Sequence, residues 1–243
     1  VEASGEANAL FVQGSDGNVG IGTASPNHTL HVKSSDTSAL KIQRDSTSGG
    51  DGAYLNFGIS TNDSITQASI IAYRVDGDEA DLAFNTGANA GTEAMRIDSS
   101  GNVTMPNQPA FLVHPASTQS NITTGSEVTI VFGTEIFDQG GDFASNTFTA
   151  PVTGRYQFSF QLYLEGVDSA GDYVACTLKT HNRNYTVIFD PDFGQDPVYW
   201  TATGSILADM DASDTAYLTI RQDSGTAQMD VTTNSYFSGF LAC

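Results

Sequence analysis

The chain has 243 residues and a net charge of −19, with 28 acidic against nine basic side chains. Nucleic acids and anionic membranes attract basic surfaces, so this composition argues against a nucleic-acid partner. No run reaches the length of a membrane-spanning helix, and we expect no membrane insertion.

The glycines of GNVGIGTASP (residues 17–26) suggest a phosphate-binding loop. The dinucleotide fingerprint has the order G-x-G-x-x-G and leads into a helix, whereas Gly17, Gly20 and Gly22 have the order G-x-x-G-x-G and precede Pro26. We therefore reject a nucleotide site. The related stretches FVQGSDGNV and RIDSSGNV each predict a strand, a tight turn at Gly-Asn and a second strand.

Short alternating runs separated by Gly, Asn, Asp and Ser predict strands rather than helices in the first part of the chain. The predicted strands are residues 29–33, 39–44, 53–59, 68–75, 81–86 and 94–98. Residues 1–106 hold only five of the 24 aromatic residues. A segment of this composition cannot easily fill its own core, so we expect it to share one with neighbours or with copies of itself.

The second part has the same strand signals with many more aromatic side chains. The predicted strands are residues 128–132, 147–150, 154–164, 173–180, 185–189, 205–210, 216–222 and 235–242. In residues 154–164, alternation places Tyr156, Phe158, Phe160, Leu162 and Leu164 on one face. The whole chain is therefore predicted to be all-β.

Cys176 and Cys243 are the only cysteines. Alternation in YVACTLK puts Cys176 on the same face as Val174 and Leu178, which predicts a buried free thiol. A disulfide between the two cysteines is the alternative.

Residues 10–106 resemble the repeating shaft modules of bacteriophage tail fibres. The resemblance lies in GNVGIGTASPNHTLHV, GAYLNFG, ASIIAYRV, DLAFNT and AMRIDSSGNV. Such modules are thin, intertwined trimers in which strands of three chains share one core. The resemblance implies a trimeric β-shaft over residues 1–106, in which three copies pool their sparse apolar side chains.

Residues 107–243 resemble the globular head of complement C1q and its tumour-necrosis-factor relatives. The matching phrases are PAFLV (109–113), FTAPVTGRYQFSF (148–160), LADMDASDTAYLTI (207–220) and SYFSGFLAC (235–243). The resemblance implies a ten-stranded jelly-roll head that assembles as a homotrimer. The chain lacks the Gly-X-Y stalk of the complement proteins, so a complement role does not carry over with the fold.

Catalytic signatures are absent from the sequence. There is no G-x-S-x-G or H-E-x-x-H motif, and His28, His31, His114 and His181 have no catalytic spacing. We expect a protein that is not an enzyme.

Calcium is a candidate ligand, because DMDASD supplies Asp209, Asp211 and Asp214 and calcium prefers oxygen ligands. The run does not match the calcium loop D-x-[DN]-x-[DN]-G, and a solvated acidic turn is the alternative interpretation.

Two segments of the head combine aromatic rings, amides and acids, a composition suited to sugars or polar surfaces. They are HNRNY (181–185) and DPDFGQDPVYW (190–200). We expect Tyr199 and Trp200 to stack on a receptor, with hydrogen bonds from the neighbouring segment. The hydrogen-bond candidates are Asn182, Arg183 and Asn184, and Tyr185 is a further candidate for receptor binding. The alternative is that Tyr199 and Trp200 pack into the core or the trimer axis.

Together these features predict the distal part of a homotrimeric bacteriophage tail fibre, carried on the virion. Its head would bind a glycan or protein receptor on the host cell surface. The main alternative is a secreted or surface bacterial C1q-like protein with a structural or adhesive role, and the enzymatic alternative is a surface-polysaccharide depolymerase.

Overall fold

The computed structural model describes residues 10–14, 17–34, 40–58, 67–87 and 91–243. The chain divides into two compact units, Val1–Met105 (the first unit) and Pro106–Cys243 (the head). The described residues form strands and turns without a helix, which confirms the all-β prediction. None of these residues therefore forms a helix long and apolar enough to span a membrane.

The first unit contains two sheets among its described residues. The first has the strand order β1-β2-β3 and the second the order β4-β5-β6-β7-β8. In chain order the strands are β1 Phe11–Val12, β2 Val19–Ile21, β3 Leu30–Val32, β4 Gly52–Phe57, β5 Ala68–Arg74, β6 Ala80–Thr86, β7 Thr92–Ile97 and β8 Val103–Thr104.

Both Gly-Asn segments form the predicted strand–turn–strand corners. β1 pairs antiparallel with β2, and β7 pairs antiparallel with β8. Gly17 (φ 70°) and Gly101 (φ 86°) have the left-handed backbone that these turns require. The repeated phrase is therefore a repeated turn.

The strand predicted at residues 39–44 is wrong over its described part, because residues 40–46 form no strand. Leu40 is 70% exposed, so its alternation with Ile42 does not define a buried sheet face. Arg44 instead forms an ion pair with Asp51 at 3.2 Å. Residues 39 and 59, at the ends of two predicted strands, lie outside the described residues.

The head contains the remaining strands. They are β9 Ala110–His114, β10 Val128–Thr129, β11 Thr134–Gln139, β12 Phe143–Ala144, β13 Thr147–Thr149, β14 Gly154–Glu165, β15 Tyr173–Thr180, β16 Asn184–Phe189, β17 Tyr199–Met210, β18 Thr215–Asp223, β19 Asp230–Val231 and β20 Tyr236–Leu241. One sheet has the order β12-β13-β18-β15-β16, and β10 also pairs with β18. The other has the order β11-β9-β20-β14-β17, and β19 also pairs with β14.

These two antiparallel sheets form the jelly roll that the resemblance implies. Five strands of each sheet make the ten-stranded framework, and β10 and β19 are short additions. β11, which pairs with β9 at the edge of the second sheet, was not predicted from the sequence.

The core lies between the two sheets. The predicted alternation of β14 is confirmed, since all five of its apolar side chains from Tyr156 to Leu164 are buried. Cys176 is a buried free thiol beside Val174 and Leu178, also as predicted. The packing is tight enough to require glycine at one position: a Cβ on Gly239 would lie 2.6 Å from Cδ1 of Phe158.

Candidate functional site

The predicted receptor-binding residues fall into two groups at opposite ends of β17. Trp200 is the second residue of this strand and Asp209 the next to last. They are nine positions apart along an extended strand, which is roughly 30 Å. The aromatic and amide side chains expected to act together therefore do not form one surface.

At the first end, three aromatic rings form a group that we call the aromatic cluster: Phe189, Phe193 and Trp200. The Trp200 ring lies 4.7 Å from that of Phe193 and 5.3 Å from that of Phe189, between centroids. Trp200 remains 37% exposed and Phe193 is similarly accessible. Trp200 lies on the inner face of β17, opposite the buried Leu164, and packs on Phe189 at the rim of the head core, so the alternative that it belongs to the core stays open.

Tyr199 is adjacent to Trp200 in sequence but lies on the other face of β17, because side chains alternate along a strand. It shares the outer face of the second sheet with Tyr163, whose ring is 6.1 Å away. Tyr199 and Trp200 therefore cannot stack on the same ligand ring.

The loop that carries Phe193, residues 190–198, is anchored by Asp196. One carboxylate oxygen accepts hydrogen bonds from the backbone N–H (2.9 Å) and the hydroxyl (2.7 Å) of Ser169. The other oxygen accepts one from Nε2 of Gln228 at 2.8 Å. These bonds, those from Ser169 foremost, lower the pKa of Asp196 below its usual value. Asp196 thereby ties the loop that carries Phe193 to two other loops of the head.

At the other end of β17, the turn between β15 and β16 contacts Asp209. Nη2 of Arg183 donates to both carboxylate oxygens of Asp209, at 2.8 and 2.7 Å. Nδ2 of Asn182 donates to the backbone carbonyl of Asp209 at 3.0 Å. Asn184 is exposed, whereas Tyr185 packs against the head core. Asn182 and Arg183 thus already have partners within the chain.

A cavity of about 280 Å³ lies beside this contact, lined among others by Arg155, Asn182, Asp209 and Cys243. Nη1 of Arg155 lies 3.8 Å from the exposed sulfur of Cys243. No aromatic ring lines the cavity.

The three aspartates of the predicted calcium site have separate roles in one chain. Asp209 pairs with Arg183, and the Asp214 carboxylate accepts the backbone N–H of Asp211 at 2.9 Å, which closes the turn. Within the described ranges, no group of three or more His, Cys, Asp or Glu side chains is arranged to hold a metal ion. The calcium site at Asp209, Asp211 and Asp214 stays a prediction.

The sequence indicated the loop that contains Phe193, but it did not predict that Phe193 and Phe189 contact Trp200. Ser169 and Gln228, which anchor the loop, were not predicted. Phe189 carries a detectable signal, because it alternates with Tyr185 and Val187 on the core-facing side of β16. No sequence signal identifies Ser169 or Gln228, since Asp196, with which both form hydrogen bonds, is distant in sequence.

The chain belongs to the C1q domain family, whose model matches residues 110–242, more than half of the sequence. The family match coincides with the jelly roll of the head. None of the curated protein sequences matches the chain at a significant level.

Several solved structures are similar to part of this chain. The globular domain of zebrafish complement 1qA protein is 23% identical, with a TM-score of 0.42, and the match covers 56% of this chain and 98% of that one. Murine APRIL at pH 8.0 is 13% identical, with a TM-score of 0.41, over 55% of this chain and 98% of that one. Murine APRIL at pH 5.0 is 14% identical, with a TM-score of 0.38, over the same shares.

Proposed function

We propose that this protein is a homotrimeric adhesin, the distal part of a bacteriophage tail fibre, and that its head binds a glycan on the host cell surface. The observation that carries the binding role is the aromatic cluster, which presents accessible rings on an anchored loop. Aromatic faces are suited to stacking on the apolar faces of sugar rings, and amides and acids of the same loop supply polar contacts.

The family supports an extracellular, oligomeric protein. C1q-domain proteins are typically secreted or extracellular, and C1q/TNF-like domains generally form homotrimers and bind receptors. For this chain we infer a trimer and a virion location, the latter from the resemblance of residues 10–106 to fibre shafts.

The outer face of the second head sheet is the surface that suits trimer formation. Its central rows carry uncharged side chains, among them Gln157, Ser159 and Ser205. Leu207 and Phe240 flank Gln157 on the neighbouring strands, and both are at least half exposed. Apolar side chains on an uncharged face gain most from burial against another copy.

Adhesion by such a fibre would depend on multivalency. Three heads per fibre and several fibres per particle convert weak individual sites into strong attachment, because each later contact is intramolecular. The proposed role requires no chemical step, and we propose that the protein is not an enzyme.

Adsorption inhibition tests the proposal. The purified chain is expected to block attachment of a virus that carries this fibre, and the double variant Phe193→Ala/Trp200→Ala is expected to lose the blocking. The matched control is Arg183→Ala, at the other end of the head, which is expected to block as the parent does. Loss of blocking in the control with retention in the double variant would move the site to the Arg183 end.

Two further measurements separate the alternatives. Gold-labelled antibody against the head is expected to decorate the tips of virion fibres, and labelling of bacterial cells alone would favour a secreted or surface C1q-like protein. A reducing-sugar assay on host capsule or lipopolysaccharide is expected to show no release, whereas release would indicate a depolymerase.

A further inference from the structure

The first unit contains a cavity of about 400 Å³ that the proposed head site does not use. Its lining comes from the segment at residues 41–46, from the adjoining ends of β4, β5 and β6, and from the turn that joins β5 to β6. A volume of this size is in the range of sites that hold small molecules. The cavity is therefore a candidate binding site of the first unit itself.

Alanine side chains make the sheet side of the cavity apolar. Ala53 pairs with Ala72 across β4 and β5, and Arg74 pairs with Ala80 across β5 and β6. Paired residues, and residues two apart on one strand, point to the same sheet face, so these four side chains lie together. No aromatic ring lines the cavity, so none of its lining residues would stack on a nucleobase.

The segment at residues 41–46 is held beside the sheet by Asp51. The carboxylate of Asp51 forms an ion pair with Arg44 at 3.2 Å and accepts a hydrogen bond from the hydroxyl of Ser46. The backbone carbonyl of Asp51 accepts the backbone N–H of Arg74 at 2.8 Å. Asp51 thus ties a segment that forms no strand to the end of the sheet, and its own charge is matched by Arg44.

Basic side chains are concentrated at this cavity. The chain has nine basic and 28 acidic residues, yet three of each line the cavity, the basic ones being Lys41, Arg44 and Arg74. Among the described residues, neither Lys41 nor Arg74 forms an ion pair. The lining is therefore formally neutral in a chain of net charge −19, and it holds two cations that are available to a ligand.

The remaining polar side chains of the lining can accept hydrogen bonds. The carboxylate of Glu79 already accepts one from the hydroxyl of Ser99 at 3.3 Å. Asp78 and Gln43 are exposed, and a carboxylate and an amide oxygen both accept hydrogen bonds from hydroxyl groups. The cavity thus offers cations for an anionic group, acceptors for hydroxyls and an apolar side.

We propose that this cavity binds an acidic sugar residue, whose anionic group is held by Lys41 and Arg74. Charge-assisted hydrogen bonds from lysine and arginine are the strong contacts for carboxylate and phosphate groups. The alanine side chains lie against the apolar face of the sugar ring, and Asp78 and Gln43 accept hydrogen bonds from its hydroxyls. The anionic group is the carboxylate of a uronate or a phosphate ester, since both accept the same bonds. This site is independent of the aromatic cluster of the head.

Isothermal titration calorimetry with the full-length chain tests the proposal. The probes are methyl β-D-glucuronide and glucose 6-phosphate, with methyl β-D-glucoside as the neutral control. At least one acidic sugar is expected to bind at least about 10-fold more tightly than the glucoside, because a hydrogen bond to a charged group contributes that much. The tighter of the two identifies the carboxylate or the phosphate as the preferred group.

Three results would overturn the inference. They are equal binding of all three sugars, no binding of either acidic sugar, and binding of inorganic phosphate as tight as that of the tighter acidic sugar. In the last case the sugar ring would contribute nothing.

Substitutions locate the binding. Lys41→Gln and Arg74→Gln are each expected to raise the Kd of the tighter acidic sugar at least about 10-fold. Lys33→Gln removes the same charge from an exposed residue outside the lining and is the matched control. Ala72→Leu keeps every charge and is expected to weaken binding because it fills the cavity. An equal loss in Lys33→Gln and Lys41→Gln would show a general charge effect and contradict the site. If Arg74→Gln does not fold, Lys41→Gln, which lies outside the strands, decides.

The outcomes also separate this site from that of the head. The variant Phe193→Ala/Trp200→Ala is expected to bind the acidic sugar as the parent chain does, whatever its effect on adsorption. Loss of sugar binding in this variant would place the site in the head and overturn the inference.

Discussion

Phe193 and Trp200 are seven positions apart in the chain, yet their rings lie 4.7 Å apart with 30° between their planes. A loop residue and a strand residue thus form one surface, and the loop is held in place by Asp196. Because Trp200 is the only tryptophan, its fluorescence reports directly on this surface.

Removal of the Phe193 ring is expected to expose Trp200 to water. We predict that Phe193→Ala shifts the tryptophan emission to longer wavelength without loss of the far-ultraviolet circular dichroism signal of the sheets. Tyr199→Ala is the control, since Tyr199 precedes Trp200 but lies on the opposite face of β17. An equal shift in both variants would contradict the observed arrangement of the cluster.

The Asp196 anchor predicts a pH dependence. The pKa of Asp196 is lowered in the folded chain, by the bonds from Ser169 foremost. The stability that the ionised carboxylate contributes is therefore fully present above the unfolded pKa of about 3.9, and it is lost as the pH falls through the folded pKa. We predict that acidification below about pH 4 shifts the Trp200 emission. Asp196→Ala is expected to show the shifted emission already at neutral pH. A parent-like titration of this variant would exclude Asp196 as the anchor.

The two cysteines are expected to differ in reactivity. Burial raises the pKa of the Cys176 thiol to about 12, whereas Cys243 is exposed, and the thiolate is the reactive form. We predict that iodoacetamide at pH 8 modifies one thiol per folded chain and two in urea, as counted by mass spectrometry. Cys243→Ser should abolish labelling of the folded chain, and residual labelling would mean that Cys176 is accessible.

The proposed trimer surface of the head can be tested by the introduction of a charged side chain. Leu207 (54% exposed) lies on the outer face of the second sheet and Ile188 (61% exposed) on that of the first. We predict that Leu207→Asp lowers the mass measured by light scattering, because it places three like charges in the proposed interface, whereas Ile188→Asp does not. Dissociation by Ile188→Asp alone would assign the interface to the other sheet.

The close approach at Gly239 predicts a cost for any side chain there. A Cβ at this position would lie 2.6 Å from Phe158 and 2.8 Å from Phe111, both buried. We predict that Gly239→Ala lowers the free energy of unfolding by about 1–3 kcal/mol, as overpacking of a core does. Ser238→Ala, on the outer face of the same strand, is the control, with a change within about 0.5 kcal/mol. Equal melting temperatures of the two variants would contradict the tight packing.

Much of the head could be predicted because its signals are local. Alternation along β14 assigned five core side chains, since successive side chains of a strand point to opposite faces. The FTAPVTGRYQFSF and SYFSGFLAC phrases indicated the family, and the family match agrees. The turns at Gly17 and Gly101 were predictable because they need backbone angles that glycine adopts readily.

The candidate site was predictable only in part. The sequence indicated the loop at residues 190–200, but it grouped Trp200 with Tyr199 and with the Asn182–Asn184 segment. The structure separates all three, because strand alternation sends Tyr199 to the other sheet face and the length of β17 places the turn at Asn182 at the far end of the head. The segment at residues 40–44 was misjudged for a related reason: an alternating pattern becomes a strand only when a neighbour accepts its hydrogen bonds.

The sequence by itself determined that the chain is all-β, which side chains of β14 are buried, where the tight turns lie and that the head is C1q-like. These properties depend on residues a few positions apart. Only the tertiary structure decided that Phe193 meets Trp200, that Arg183 meets Asp209 and that Leu55, Ile70, Phe84 and Met95 form one apolar row. Those contacts depend on which strands pair and in which register, and a single sequence does not specify the pairing of residues far apart in the chain.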